Sequence, residues 1–298
     1  MNMFESLFIH WNVDPEIFRI GSFAVRWYGL LFVSGFILGY WMMAKFFDRE
    51  GVDKKILDPL LYTLLIGTLV GARLGHCLFY QPDYYFGSWK GFWEIFMVWK
   101  GGLASHGGTL MLLLCLGWFA AKYGPKNHID YLWICDHLVI AVAFAATFIR
   151  IGNLFNSEIY GDVTQLPWGF VFERRGETDP KHPTQIYEAL SYFLLGLLLV
   201  WLYWKKLDKM YRGGFLGIFM ILCFGMRFLI EFIKEPQVEF EQSMTLDMGQ
   251  WLSIPFVLFG IGLLVYSCRK KIPVRAVLPA EKPKKAEPTH YAKSLRDR

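Results

Sequence analysis

The sequence predicts an all-α polytopic membrane protein with about seven transmembrane helices and a small external head, on three observations. Of its 298 residues, 54% are hydrophobic and only 19% charged, where a soluble domain carries about a quarter charged residues. Mean hydropathy is +0.31, and apolar windows of about 20 residues recur, each long enough to cross roughly 30 Å of hydrocarbon. Lys and Arg gather behind alternate windows, as a chain threading back and forth requires.

In chain order, residues 1–24 read as an amphipathic lead-in with Trp11, Phe18 and Phe23 suited to an interface. Met1 to Asn12 holds Glu5 but no Lys or Arg and no small-residue cleavage site, so the first span is expected to stay in the membrane. Spans are predicted over 25–47, 59–80, 103–121, 131–149, 183–204, 213–233 and 249–268. Between the second and third lies a polar, aromatic-rich connection, 81–100, with Trp89, Trp93 and Trp99 along the surface; the third ends before a Gly124-Pro125 turn. The head occupies about 150–182, where Pro167, Gly169, Pro180 and Pro183 favour loops and short strands. Residues 1–268 thus form one membrane domain, and 269–298, rich in Lys, Pro and Glu, has too little apolar surface to fold.

The basic clusters follow the first, third, fifth and seventh spans, which makes those ends and the C-terminus cytoplasmic. The N-terminus, the 81–100 connection, the head and the 235–248 loop then face outward. The five cysteines are scattered through apolar segments without metal-ligand spacing and read as small buried hydrophobes. No metal, cofactor or nucleotide loop is expected, and the +5 charge reports topology rather than nucleic-acid binding.

Chemistry concentrates in Arg150-Ile151-Gly152-Asn153-Leu154-Phe155-Asn156-Ser157-Glu158-Ile159-Tyr160-Gly161. On a helix Arg150, Asn153 and Asn156 recur at three-residue steps and lie near one another. An arginine ending a span can simply snorkel to lipid phosphates, with Gly161 closing the helix. Four polar residue types clustered near hydrocarbon favour a functional site instead. His106, among four glycines at the entry to the third span, is either a proton carrier or a helix-start histidine satisfied by a carbonyl. Arg26, Arg73 and Arg227 also lie at or inside spans. Arg227 and Glu231 can neutralise each other at i, i+4, while arginines converging from several helices suit a shared anion such as a lipid phosphate. In Lys181-His182-Pro183-Thr184-Gln185-Ile186-Tyr187-Glu188, Pro183 suits the first helical position, and Gln185 and Glu188 are expected to point into the bundle near Arg150.

These residues resemble the prolipoprotein diacylglyceryl transferase family over roughly 8–268. The run from Arg150 to Gly161 is similar to the family signature. Trp-Tyr-Gly at 27–29, Gly-Ala-Arg-Leu-Gly at 71–75, His-Gly-Gly at 106–108, the 182–188 motif, Arg227-Phe228 with Glu231, and Met-Gly-Gln-Trp-Leu-Ser at 248–253 follow in the family's order. The resemblance implies a bacterial inner-membrane enzyme, N-terminus periplasmic. It would move the diacylglyceryl group of phosphatidylglycerol to the lipobox cysteine in the signal peptide of a preprolipoprotein, releasing glycerol 1-phosphate as the first step of lipoprotein maturation. It implies that Arg150 and Arg227 hold the headgroup phosphate, that His106 activates the thiol, and that Tyr28, Asn153, Glu158, Gly161 and Glu231 serve binding or activity. Arg73, Asn156 and Gln185 join them as expected substrate contacts. Two departures stand out: Cys223 where the family commonly has tyrosine, and Lys181 where arginine is usual. The rival class is a lipid or anion transporter using the same arginines, which calls for polar residues stepping through both membrane halves and internal repeats. A structural scaffold would leave His106 and the Arg150–Asn153 pairing without a purpose.

Overall fold

A computed structural model describes residues 8–21, 23–98, 101–235 and 245–276. The described chain opens with three short strands, β1 Ile9–Trp11, β2 Glu16–Ile20 and β3 Phe23–Arg26, and then runs into helix α1, Trp27–Glu50. Helix α2 spans Leu57–Phe79, and the short helices α3, Pro82–Gly87, and α4, Trp89–Glu94, form the aromatic connection. Helices α5, Ser105–Asn127, and α6, Tyr131–Phe155, precede strand β4, Phe170–Phe172. Helices α7, Thr184–Lys206, α8, Gly214–Glu231, and α9, Met248–Lys270, complete the bundle.

Among the described residues, six helices are long and apolar enough to cross a membrane: α1, α2, α6, α7, α8 and α9. Helix α5 accounts for the remaining expected span, but its polar first turn and the lysines at 122 and 126 shorten its apolar stretch to about Leu110–Ala121. Its outward residues Leu110, Leu114 and Trp118 are exposed, as are Leu258, Phe259, Ile261 and Val265 of α9. Such apolar outer faces suit a hydrocarbon surrounding.

Antiparallel helix pairs build the bundle, the most extensive being α2 with α5, α8 with α9, and α1 with α6. The α2–α5 seam is set by small residues. A Cβ at Gly75 would lie 2.7 Å from the Gly107 Cα, and one at Gly71 would overlap Met111. Without a hydrophobic drive between helices in lipid, backbone approach of this kind supplies the packing. The glycine after His106 therefore has a structural duty.

One end of the bundle is an aromatic and polar core. Phe47, Trp133, Tyr203 and Phe215 are fully buried there around Glu50. Glu50 Oε1 accepts from Tyr203 Oη at 2.9 Å and lies 2.6 Å from His137 Nε2; Oε2 accepts from Trp133 Nε1 at 2.9 Å and the Ala276 amide at 2.8 Å. Buried Asp136 accepts from the Gly213 and Leu216 amides at 2.7 and 2.8 Å, capping α8 from another helix. Ala276 belongs to the segment expected to be unfolded. Helix α9 instead runs to Lys270, and residues 271–276 turn back onto the bundle. Val274 is fully buried there, its amide donates to the Met210 carbonyl at 3.1 Å, and the Arg212 amide donates to the Ile272 carbonyl at 2.8 Å. Backbone pairing and the Glu50 carboxylate hold a stretch that composition alone leaves free. Residues 277–298 lie outside the described chain, as does Trp99.

Other boundaries shift. The expected turn at Gly124-Pro125 is helical, with α5 ending only at His128 in a left-handed conformation (φ 55°). A proline in the final turn removes a single backbone hydrogen bond where others are already ending. Helix α6 carries Arg150 and Asn153 on its last turns, so the head begins at Asn156 rather than at 150. Gly161 lies beyond the helix end, and Pro183 stands just before α7 rather than at its first position. The lead-in is stranded: β1 pairs in parallel with β4, Ile9 opposite Phe170, and β2 pairs with β3. Trp11 donates from Nε1 to the Leu154 carbonyl at 3.0 Å, so it serves the head, while Phe18 remains exposed.

Two outcomes follow for the purified protein in detergent, read by thermal unfolding. Gly107→Leu sets a side chain against α2 backbone and lowers the unfolding temperature, whereas Gly117→Leu, with nothing within 4 Å, leaves it unchanged. Glu50→Gln, though isosteric, turns an amide N–H₂ toward donors and costs about 1–3 kcal/mol for each one left unpaired.

Candidate active site

The other end of the bundle holds the polar residues of the signature. From the end of α6, the Arg150 guanidinium reaches two ways. Its Nε lies 2.8 Å from Oε2 of fully buried Glu188 on α7, an ion pair not aligned as a hydrogen bond. Its Nη1 donates to Asn153 Oδ1 at 3.1 Å. Asn153 and Asn156 then donate from Nδ2 to the same Glu158 oxygen, at 2.8 and 3.1 Å. Glu158 is aimed back at the helix by a turn in which its neighbours Ser157 and Ile159 adopt φ of 51° and 62°. Non-glycine residues rarely occupy that region, and such strain concentrates at functional sites. The start of α7 secures the turn: Gln185 Nε2 donates to the Glu158 carbonyl at 2.7 Å and Thr184 Oγ1 to the Ile159 carbonyl at 2.8 Å. Tyr28 packs on Gly152, where a Cβ would come within 2.8 Å of its ring, and lies in electrostatic range of Glu158 and Arg150.

The chain of charges continues across α7 to α8. Glu188 Oε1 accepts from Tyr192 Oη at 3.5 Å and lies 3.8 Å from Lys234 Nζ, which in turn pairs with Glu231 Oε2 at 3.2 Å. The Glu231 carboxylate packs on bare Gly249 at the start of α9, where any Cβ would overlap it. Gly161 crosses close to the same corner, its amide donating to the His182 carbonyl at 2.8 Å while Asp162 donates to that of Ile233 at 3.0 Å. Of the two readings of Arg227, the ion pair with Glu231 is not formed; the carboxylate lies on Lys234 instead. Arg227 Nε is buried and has no hydrogen-bond partner. Tyr192 and Cys223 both lie in electrostatic range of Arg150 and of Arg227.

A groove of about 300 Å³ opens beside Arg150 between α6 and α7. It is lined by Thr147, Arg150, Gln185, Ile186, Ala189 and Phe193, among others, and its exposed surface is almost wholly apolar. An apolar trough of this kind suits an acyl chain.

Three expected members stand apart. Arg73 is 3% exposed and spends its donors on backbone carbonyls: Nε on Ile95 at 2.9 Å, Nη1 on Gly101 and Gly102 at 2.6 and 3.1 Å, and Nη2 on Glu94. It pins the chain leading into α5, and a guanidinium so engaged has no fork left for an anion. Arg26 is exposed, 3.5 Å from Glu16. His106 sits exposed on the first turn of α5, at the same end of the bundle as Arg150 but without a hydrogen bond to its network.

Lys234 and Tyr192 were not anticipated. Lys234 at i+3 from Glu231 was a readable signal; Tyr192 in an apolar run was not. Lys181, the second departure, is occupied in the head. Burial would depress its ammonium, but the Glu235 hydrogen bond at 3.1 Å and the Glu235 and Glu177 charges hold it above the ordinary lysine value. Burial and the Glu177 hydrogen bond likewise raise the neighbouring Tyr160 phenol.

The sequence profile described as prolipoprotein diacylglyceryl transferase matches residues 15–266. A phosphatidylglycerol–prolipoprotein diacylglyceryl transferase of Tolumonas auensis is 46% identical over 264 residues, covering 88% of this chain and 99% of its own. Proteins of the same name from Bacteroides fragilis and Cupriavidus pinatubonensis are 43% and 35% identical, each over 89% of this chain and 97% and 95% of their own. The two membrane arginines, the strained carboxylate turn and near full-length similarity place this chain in the prolipoprotein diacylglyceryl transferase family.

Proposed function

We propose that the protein transfers the diacylglyceryl group of phosphatidylglycerol to the lipobox cysteine in the signal peptide of a preprolipoprotein, at the outer face of a bacterial inner membrane. The observation that supports this is the unpartnered, buried Nε of Arg227, with Cys223 in electrostatic range of both Arg227 and Arg150. A buried guanidinium donor without an acceptor is costly unless a ligand supplies one, and a phosphate ester fits the fork. The donor lipid enters from the side, an acyl chain in the α6–α7 groove and its phosphate between the arginines. His106 takes the thiol proton. Free cysteine has a pKa near 8.5, so a base or nearby cation raises the reactive fraction at neutral pH.

The thiolate attacks the glycerol carbon that carries the phosphate. A C–S bond forms, the C–O bond breaks with its electron pair leaving on the phosphate oxygen, and glycerol 1-phosphate departs. Arg150 and Arg227 stabilise the charge that gathers there. Glu188 and the Asn153–Glu158 pair hold Arg150 in place, and Tyr28 closes the side of the headgroup pocket. The transporter alternative has little support, since the polar cluster at the far end of the bundle is internally hydrogen-bonded around Glu50.

The test combines purified protein, phosphatidylglycerol and a peptide bearing a lipobox cysteine, followed by peptide mass and released glycerol phosphate. The wild type adds a diacylglyceryl mass, and Arg150→Ala and Arg227→Ala each lower kcat/KM by about a hundredfold or more. His106→Ala loses rate at neutral pH and recovers as pH rises toward the thiol pKa. A folded wild type that transfers nothing from any lipid would overturn the assignment; an unaffected His106→Ala would remove only the base.

A further inference from the structure

We infer that Lys234 is a positioning residue that keeps Arg227 available for the donor phosphate by holding Glu231 away from it. The inference rests on the phosphate-binding reading of Arg227 given above. Glu231 is one helical turn beyond Arg227, the spacing at which opposite charges ordinarily pair. In a buried setting that pairing would be favoured strongly, because each ion left alone is penalised. Yet Glu231 Oε2 lies 3.2 Å from Lys234 Nζ, and Arg227 Nε is left without an acceptor.

The geometry explains how the carboxylate is diverted. Lys234 follows the end of α8, its side chain only 3% exposed, and Nζ stands between two carboxylates, Glu231 at 3.2 Å and Glu188 at 3.8 Å. Its backbone is fixed as well: the Lys234 amide donates to the Glu231 carbonyl at 3.1 Å, and the residue bridges to Gly161. On the far side, the start of α9 offers Gly249, whose missing Cβ leaves room for the carboxylate. Gln250 Nε2 donates to the Phe228 carbonyl at 3.4 Å and ties α9 to that turn of α8. Lysine and glycine together hold Glu231 where it makes no ion pair with Arg227. Glu188 has Arg150 as a second partner, so loss of Lys234 frees Glu231 more than Glu188.

The experiment measures KM for phosphatidylglycerol and kcat separately in Lys234→Met, Lys234→Arg, Glu231→Gln, the Lys234→Met/Glu231→Gln double variant and Arg227→Ala, with folding checked by thermal unfolding. Lys234→Met is expected to raise KM by at least about tenfold, the loss of one charge-assisted hydrogen bond to the ligand, with a smaller change in kcat. Lys234→Arg restores most of that loss. In the Glu231→Gln background, Lys234→Met adds little, since no carboxylate remains to occupy Arg227. Should Lys234→Met fail to fold, Lys234→Gln puts the same question. An unchanged KM in a folded Lys234 variant, or equal losses with and without Glu231, would overturn the inference while leaving Arg227 as the phosphate ligand. An unchanged KM in Arg227→Ala would overturn the phosphate reading itself.

Discussion

A cation at the edge of hydrocarbon must find an acceptor, and the answer given to Arg150 organises the active end of this molecule. Its contact with Glu188 joins α6 to α7, and Glu188 passes the charge on to Lys234 and Glu231 at the end of α8. On the other side Asn153 relays it to Glu158, whose turn is clasped by the start of α7. The ends of α6, α7 and α8 are thereby tied together by electrostatics as well as by packing. Buried charges cost several kcal/mol each unless paired, so the arrangement is rigid by necessity. Rigidity of this kind is what a site that stabilises developing phosphate charge requires.

The two ends of the bundle use buried polar groups differently. Around Glu50 the donors and acceptors match, and the result is a clamp that fastens residues 271–276 to the bundle. Among the described residues, the buried side-chain polar atoms without a hydrogen-bond partner are Ser157 Oγ, Gln185 Oε1, Glu188 Oε2 and Arg227 Nε. All belong to the Arg150 end. Glu188 Oε2 still has the Arg150 charge at 2.8 Å, whereas Arg227 Nε is a donor with no acceptor, which is what an anionic ligand would supply.

Much of this was legible in the sequence, and the remainder was hidden for physical reasons. Hydropathy placed the apolar helices within a few residues, because a bilayer leaves little choice about length. Three-residue spacing correctly put Arg150 with Asn153 and Asn156. The spacing of Arg227 and Glu231 left two readings open, a local ion pair or a shared anion, and the pair is absent because Lys234, beyond the end of α8, takes the carboxylate. Arg73 misled: its position suggested an anion site, but carbonyls from the following connection had already claimed its donors. The Glu50–Ala276 contact links residues 226 apart, and no local pattern foretells such a pairing. Parallel pairing of β1 with β4 was equally out of reach, because three-residue strands carry no usable alternation.

The central claim is that the donor phosphate completes the hydrogen bonding of Arg227 and is shared with Arg150. An experimental structure determined with phosphatidylglycerol bound tests it most directly. The account predicts phosphate density within hydrogen-bond distance of Arg227 Nε, with Glu231 still on Lys234 and an acyl chain along the α6–α7 groove. Lipid phosphate seated elsewhere, with Arg227 paired instead to Glu231, would contradict it.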